Sequence, residues 1–167
     1  RNSNRTKKFI KANKKNKRLN ICNSISDLAN ESNIIISCVG NDNDLKKIYM
    51  SRNSVFDNIS NGTIIIDHTT ASASYSKVLY KNFLQKNSYF FDAPVSGGEI
   101  GSLKGTLSIM FGGNSKKKSL VKQISSCYSK SIVYMGKSGN GQLTKMVNQI
   151  CVSSVIQGIA EGLFFAT

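Results

Sequence analysis

Short β-branched runs alternate along the chain with stretches whose apolar positions recur every three to four residues. Residues 33–39 (NIIISCV) form a continuous β-branched run. Such a run predicts a strand buried on both faces, as in a parallel sheet. Residues 63–67 (TIIID) predict a second buried strand and residues 89–92 (YFFD) a third. Residues 106–111 (TLSIMF) and 131–135 add two more, and 18–22 is a short candidate. Between them lie helical patterns. Residues 6–17 are polar and Lys-rich, as in a solvent-facing helix. Ser24 is a predicted N-cap, with Asp27 at capping-box spacing. Residues 40–44 are a polar turn, and another helix begins over 45–50. Residues 73–86 predict a helix with Val78, Leu79 and Phe83 on one face. Further helices are expected over 116–128 and from Gly141 to the end.

Strands alternating with helices imply βαβ units and a mostly parallel sheet, the α/β class. No internal repeat is present. The chain has 167 residues, of which 40% are hydrophobic and 8% aromatic, which suits one domain with a real core. No unbroken apolar run reaches the ~18 residues that a bilayer span needs, and no secretory signal opens the chain. A membrane span is therefore not expected.

The net charge of +14 suggests an anionic partner at first sight. Its make-up changes that picture. Of the 23 basic residues only Arg1, Arg5, Arg18 and Arg52 are arginines, in a chain rich in Asn, Ile and Ser. This mixture reflects AT-rich coding better than a nucleic-acid surface, which leans on Arg and interleaved aromatics. Cys22, Cys38, Cys127 and Cys151 are far apart, without metal-ligand or disulfide spacing. Reduced cysteines in a cytoplasmic protein fit best.

Three segments carry candidate chemistry. In DAPVSGG, residues 92–98, a strand ends in a Ser-Gly-Gly loop. Its backbone N–H groups and hydroxyl can cradle a carboxylate, although a plain turn reads the same way. In GKSGNGQLTKMVNQ, residues 136–149, a Gly-rich turn opens a helix bearing Lys145, Asn148 and Gln149 on one face. A lysine in a dry cleft has a lowered pKa and serves as general acid or base; a snorkelling surface lysine is the plainer alternative. Residues 38–42 (CVGND) and 67–70 (DHTT) follow buried strands, at the edge where open α/β sheets bind ligands. His68 there reads as a polar turn residue.

In that order and spacing, DAPVSGG, GTLSIMFGG and GNGQLTKMVNQ resemble the β-hydroxyacid dehydrogenases. That family includes 3-hydroxyisobutyrate dehydrogenase, tartronate semialdehyde reductase and 6-phosphogluconate dehydrogenase. The likeness implies a Rossmann-like domain over residues 1–138 and, over 139–167, the start of an interdomain helix. It implies NAD(P)-dependent hydride transfer between a small β-hydroxyacid and its semialdehyde, with Lys145 as general acid/base. Ser96, Gly97 and Gly98 would hold the substrate carboxylate. Asn148 and Gln149 would bond the substrate near its hydroxyl. The family's amide four residues after the lysine is often Asn; here it is Gln149, which leaves open which amide acts. Val39, Gly40, Asn41 and Thr70 would line the nicotinamide side.

Asn4, Arg5 and Thr6 match the stretch that meets the adenosine ribose. No acid for ribose hydroxyls stands there, and Arg5 can pair with a 2′-phosphate. NADP is therefore favoured, with NAD the alternative. The family's first strand and G-x-G-x-x-G turn would precede Arg1, and an all-helical domain would follow Thr167. The implied partners are a small hydroxyacid and, for an intact protein, a second copy, with no nucleic acid or membrane. A non-catalytic relative or inactive fragment serving as a binding module is the competing reading.

Overall fold

The structure, a computed structural model, describes residues 3–13, 15–16 and 18–167, with side chains in the first helix from Thr6 onward. That helix, α1 (Ser3–Ala12), is polar and mostly exposed. The candidate strand over 18–22 is irregular chain instead. Among the described residues it has no neighbouring strand to complete its hydrogen bonds, and an isolated strand has no stability of its own. Ser24 caps α2 (Ile25–Glu31) as expected: its Oγ accepts the Asp27 N–H at 3.0 Å.

The first sheet contains β1 (Ile34–Ser37), β2 (Ile64–Asp67) and β3 (Tyr89–Asp92), all parallel. Between β1 and β2 come α3 (Asp42–Tyr49) and the short α4 (Val55–Asn58); α5 (Ala73–Gln85) joins β2 to β3. The registers pair Ser37 with Asp67 and Asp67 with Asp92. Three polar side chains thus line up along the carboxyl edge. The second sheet contains β4 (Val95–Ser96), β5 (Leu107–Phe111) and β6 (Ser129–Tyr134), with α6 (Gly98–Lys104) after β4 and α7 (Lys118–Ser125) before β6. Here β5 and β6 are parallel and β4 is antiparallel. An antiparallel bridge, Asp92 to Gly112, links the two sheets.

β2 is buried throughout, and its alternating side chains explain the continuous run. Ile65 joins one core cluster with Tyr49, Leu79, Phe83 and Phe90, whereas Ile64 and Ile66 join the other with Phe91, Ile109 and Phe111. β1 departs from the pattern: Ile35 is buried, but Ile34 and Ile36 are 43% and 49% exposed. β1 pairs only with β2 among the described residues, so its other edge is open. Val78 also departs, facing solvent while Leu79 and Phe83 are buried. The helical pattern over 116–128 resolves into α7 flanked by 3₁₀ turns at Ser115–Lys117 and Ser126–Tyr128.

The chain ends in α8 (Asn140–Ala166), whose buried residues are Gly141, Gln142 and Lys145. Beyond Lys145 it projects from the sheets, with Phe165 94% exposed. With a mean hydropathy of 1.4 over its most apolar 18-residue window, α8 is long and apolar enough to cross a bilayer by length and composition. That differs from the expectation drawn from unbroken runs, because scattered Ser, Thr, Asn and Gln interrupt the run without much lowering the average.

Candidate active site

The loops after β1 and β2 are joined through buried polar groups. Asp67 Oδ1 accepts the Ser37 hydroxyl at 2.6 Å and the Thr69 hydroxyl at 2.7 Å. Ser37 Oγ also meets the Tyr49 hydroxyl at 2.6 Å. Thr69 Oγ1 accepts the Val39 N–H at 2.9 Å. Asn41 caps α3 by accepting the Asp44 N–H, and Asp44 accepts the N–H of Gly40. Val39 is half-buried, while Gly40, Asn41 and Thr70 are exposed. All four therefore stand on one carboxyl edge, and Gly40 offers a flat peptide surface with no Cβ. These are the residues that the resemblance places on the nicotinamide side of the cofactor.

The end of β3 performs a different task. Asp92 is fully buried, and its carboxylate sits at the N-terminus of α8. It accepts the Gly139 N–H at 2.7 Å, the Gln142 N–H at 3.2 Å and the Ser138 hydroxyl at 3.2 Å. The helix has no side-chain cap of its own, so a distant acid supplies one. Gly141 makes this approach possible. A Cβ there would run into the Asp92 carbonyl and lie 2.8 Å from both the Asp92 carboxylate and the Met110 carbonyl. The glycine-rich turn opening α8 is therefore no phosphate cradle: a carboxylate already occupies the anion position. No G-x-G-x-x-G turn occurs in the sequence, so these residues hold no glycine seat for a pyrophosphate.

Gln142 then ties α8 to the β2 loop. Its Nε2 donates to the Thr69 carbonyl at 2.7 Å, and its Oε1 accepts the Ala71 N–H at 3.0 Å. Lys145 lies three residues on, almost one turn along the same face. It is 8% exposed, and no hydrogen bond or ion pair holds its ammonium among the described residues. Burial lowers its pKa from the ordinary lysine value.

Asn148 and Gln149 follow on α8; Asn148 is half-buried, Gln149 is exposed, and their side chains bond each other at 3.2 Å. Ser96 ends β4, opposite Ser108. Gly97 turns the chain with φ of 126°, a conformation that side chains resist, and Gly98 opens α6 with φ of 60°. No hydrogen bond among the described residues joins Ser96 to α8. Asn4, Arg5 and Thr6 stand in the first half of α1. Thr6 is exposed, and the side chains of Asn4 and Arg5 lie outside the described residues.

His68 is a buried structural group and not an open turn residue. Its Nδ1 meets the Ala93 carbonyl at 2.6 Å and its Nε2 the Tyr128 hydroxyl at 2.9 Å. Burial lowers its pKa. The four cysteines are free, and among the described residues no cluster of metal ligands forms. Asp67, Thr69, Asp92 and Gln142 lie inside the segments the sequence singles out, but the sequence gives none of them a role of its own. Two of them carried a signal: an acid ending a buried strand has to find donors, and Asp67 and Asp92 both do.

The chain matches the model of the NAD binding domain of 6-phosphogluconate dehydrogenase over residues 1–136. It is 44% identical to an uncharacterized oxidoreductase of Shewanella frigidimarina over 140 residues, 84% of this chain and 48% of the relative. A probable 3-hydroxyisobutyrate dehydrogenase-like protein of Arabidopsis thaliana is 34% identical, over 87% of this chain and 46% of the relative. Among solved structures, the 3-hydroxyisobutyrate dehydrogenase of Mycobacterium tuberculosis superposes with a TM-score of 0.78 at 23% identity, over 84% of this chain and 47% of that one. The chain spans about half the length of the curated relatives it matches. With a matching family model over most of its length and a Rossmann-like sheet, the chain belongs to the β-hydroxyacid dehydrogenase family, as its NAD-binding domain.

Proposed function

We propose that this chain is the nucleotide-binding part of an NADP-dependent oxidoreductase that interconverts a small β-hydroxyacid and its semialdehyde. The observation that carries this reading is Lys145. It is buried, without a hydrogen-bond or ion-pair partner among the described residues, and one turn from the glutamine that anchors α8 to the loop of Thr69 and Thr70. A lysine costs free energy in such a place unless a ligand meets it. A bound nicotinamide supplies the hydride acceptor or donor. The Lys145 amine takes the substrate hydroxyl proton on oxidation and returns it on reduction.

The other roles follow the resemblance. Ser96, Gly97 and Gly98 receive the carboxylate through hydroxyl and peptide N–H groups. Asn148 or Gln149 bonds the substrate hydroxyl. Val39, Gly40, Asn41 and Thr70 face the nicotinamide, and Arg5 faces the 2′-phosphate. Residues 1–138 form the nucleotide-binding unit and 139–167 begin the helix that leads to a second domain. The intact protein is a cytoplasmic homo-oligomer that binds neither nucleic acid nor membrane.

The test uses the protein expressed from the whole reading frame that contains this chain, assayed for NADPH oxidation with a panel of small semialdehydes. Turnover with one of them, abolished by Lys145→Ala with the fold intact, is the expected result. Unchanged turnover in that variant overturns the assignment of the base. An unchanged ratio of NADPH to NADH affinity in Arg5→Ala overturns the preference for NADP.

A further inference from the structure

A cavity of about 600 Å³ lies between α5, the turn after β5, the end of β6 and the first residues of α8. It is separate from the Lys145 face of α8 and from the loops after β1 and β2. Its volume falls in the range of small-molecule sites. Lys77 and Lys81 enter it from α5, Lys116 from the turn after β5 and Lys137 from the turn before α8. No Asp or Glu lines it, and none of the four lysines is held in an ion pair among the described residues.

Two aromatic rings, Tyr80 and Tyr134, complete the wall. Tyr134 is fixed by donating its hydroxyl to the Gly113 carbonyl at 2.9 Å, and the Lys118 ammonium lies 5.6 Å from its ring centre. The carboxylate of Asp92, under Ser138 in the floor, is already spent on the N-terminus of α8. Four exposed lysines around one concavity, with no acid among its lining residues, give it a positive potential that favours a multiply charged anion. Lysine ammonium groups suit phosphate oxygens as point charges without a fixed fork.

We infer that this cavity is a binding site for a small molecule carrying two phosphate groups, distinct from the dinucleotide loops. Lysine is abundant throughout this chain, so the test has to separate a built site from general positive charge. The 167-residue chain is titrated calorimetrically with pyrophosphate at about 0.15 M salt, where exposed charges beyond about 8 Å are largely screened. The expected result is one site per chain, weakened at least about tenfold by Lys77→Gln with Lys137→Gln. A second pair from the other walls, Lys81→Gln with Lys116→Gln, is expected to do the same, so poor folding of one pair leaves the other decisive. The control pair, Lys7→Gln with Lys122→Gln, removes the same charge from exposed helix positions and leaves affinity within about twofold. No binding at about 1 mM pyrophosphate overturns the proposal, and so does equal weakening by the control pair. Neither outcome bears on Lys145 or on turnover.

Discussion

The Asp92 carboxylate accepts the backbone N–H of Gly139 at 2.7 Å across 47 residues of chain. One side chain at the end of β3 thus fixes where the longest helix begins. Asp92→Ala leaves the N–H groups of Gly139 and Gln142 buried without an acceptor. An unsatisfied buried donor costs about 1–3 kcal/mol. Urea unfolding is expected to show a loss of that size, and a smaller one for Asp92→Asn, whose amide oxygen still accepts.

The same burial makes stability depend on pH. Burial pushes Asp67 and Asp92 up to about 6, outweighing the hydrogen bonds that favour their charged forms. The folded state then holds more protons than the unfolded state between the unfolded value near 4 and about 6. The stabilisation from these raised values is complete below the unfolded value and is lost as pH rises through about 6. His68, whose lowered pKa acts in the opposite sense, is common to the parent chain and to Asp67→Asn, so the difference between them isolates the carboxyl group. Between pH 4 and pH 7 the urea midpoint of the parent chain is expected to fall relative to that of Asp67→Asn, and a parent midpoint that climbs relative to the variant contradicts the assignment.

Gly141→Ala tests the close approach of α8 to β3. Alanine favours a helix by roughly 1 kcal/mol over glycine. Here the added methyl meets backbone carbonyls of Asp92 and Met110, which have little freedom to withdraw. The expected outcome is net destabilisation of about 1–3 kcal/mol, read from the thermal or urea transition.

Lys145 predicts a pH profile as well as a loss. In the proposed oxidative step the neutral amine is the active form, so kcat/KM of the protein from the whole reading frame is expected to rise with pH as the lysine loses its proton. Its lowered pKa brings that rise below the range of an ordinary lysine. Lys145→Ala is expected to lower kcat by about 10²–10⁴-fold and to remove the lysine limb from the profile.

The open edge of β1 has a physical cost in the chain alone. Its unpaired peptide groups and the exposed Ile36 form a template for another strand. Sedimentation of the 167-residue chain is expected to show self-association, reduced in Ile36→Lys.

The legible part of the fold was the part fixed by local pattern. The runs NIIISCV, TIIID and YFFD marked β1 to β3, and Ser24 marked the start of α2, because period and capping act over a few residues. Residues 18–22 failed because a strand exists only with a neighbour. Ile34 and Ile36 failed for a related reason: a β-branched run reports compatibility with burial and not the presence of a covering layer. Lys145, Ser96 and Thr70 stood out through their motifs. Asp92 lay inside one of those motifs, yet its work concerns Gly139, and no spacing rule relates residues so far apart. Gln142 was hidden likewise, its partners being the backbone of Thr69 and Ala71.

The two hydrogen bonds of Gln142, donated to the Thr69 carbonyl and accepted from the Ala71 N–H, make the helix and the β2 loop one mechanical part. Thr69 extends that part to Val39 on the neighbouring loop. Lys145 therefore takes its coordinates from the same joint that sets Val39 and Thr70. A substitution that shifts either loop is therefore expected to displace the amine too. Engineering of either loop then has to be accompanied by a compensating change on α8, or the geometry proposed for proton transfer at Lys145 is lost.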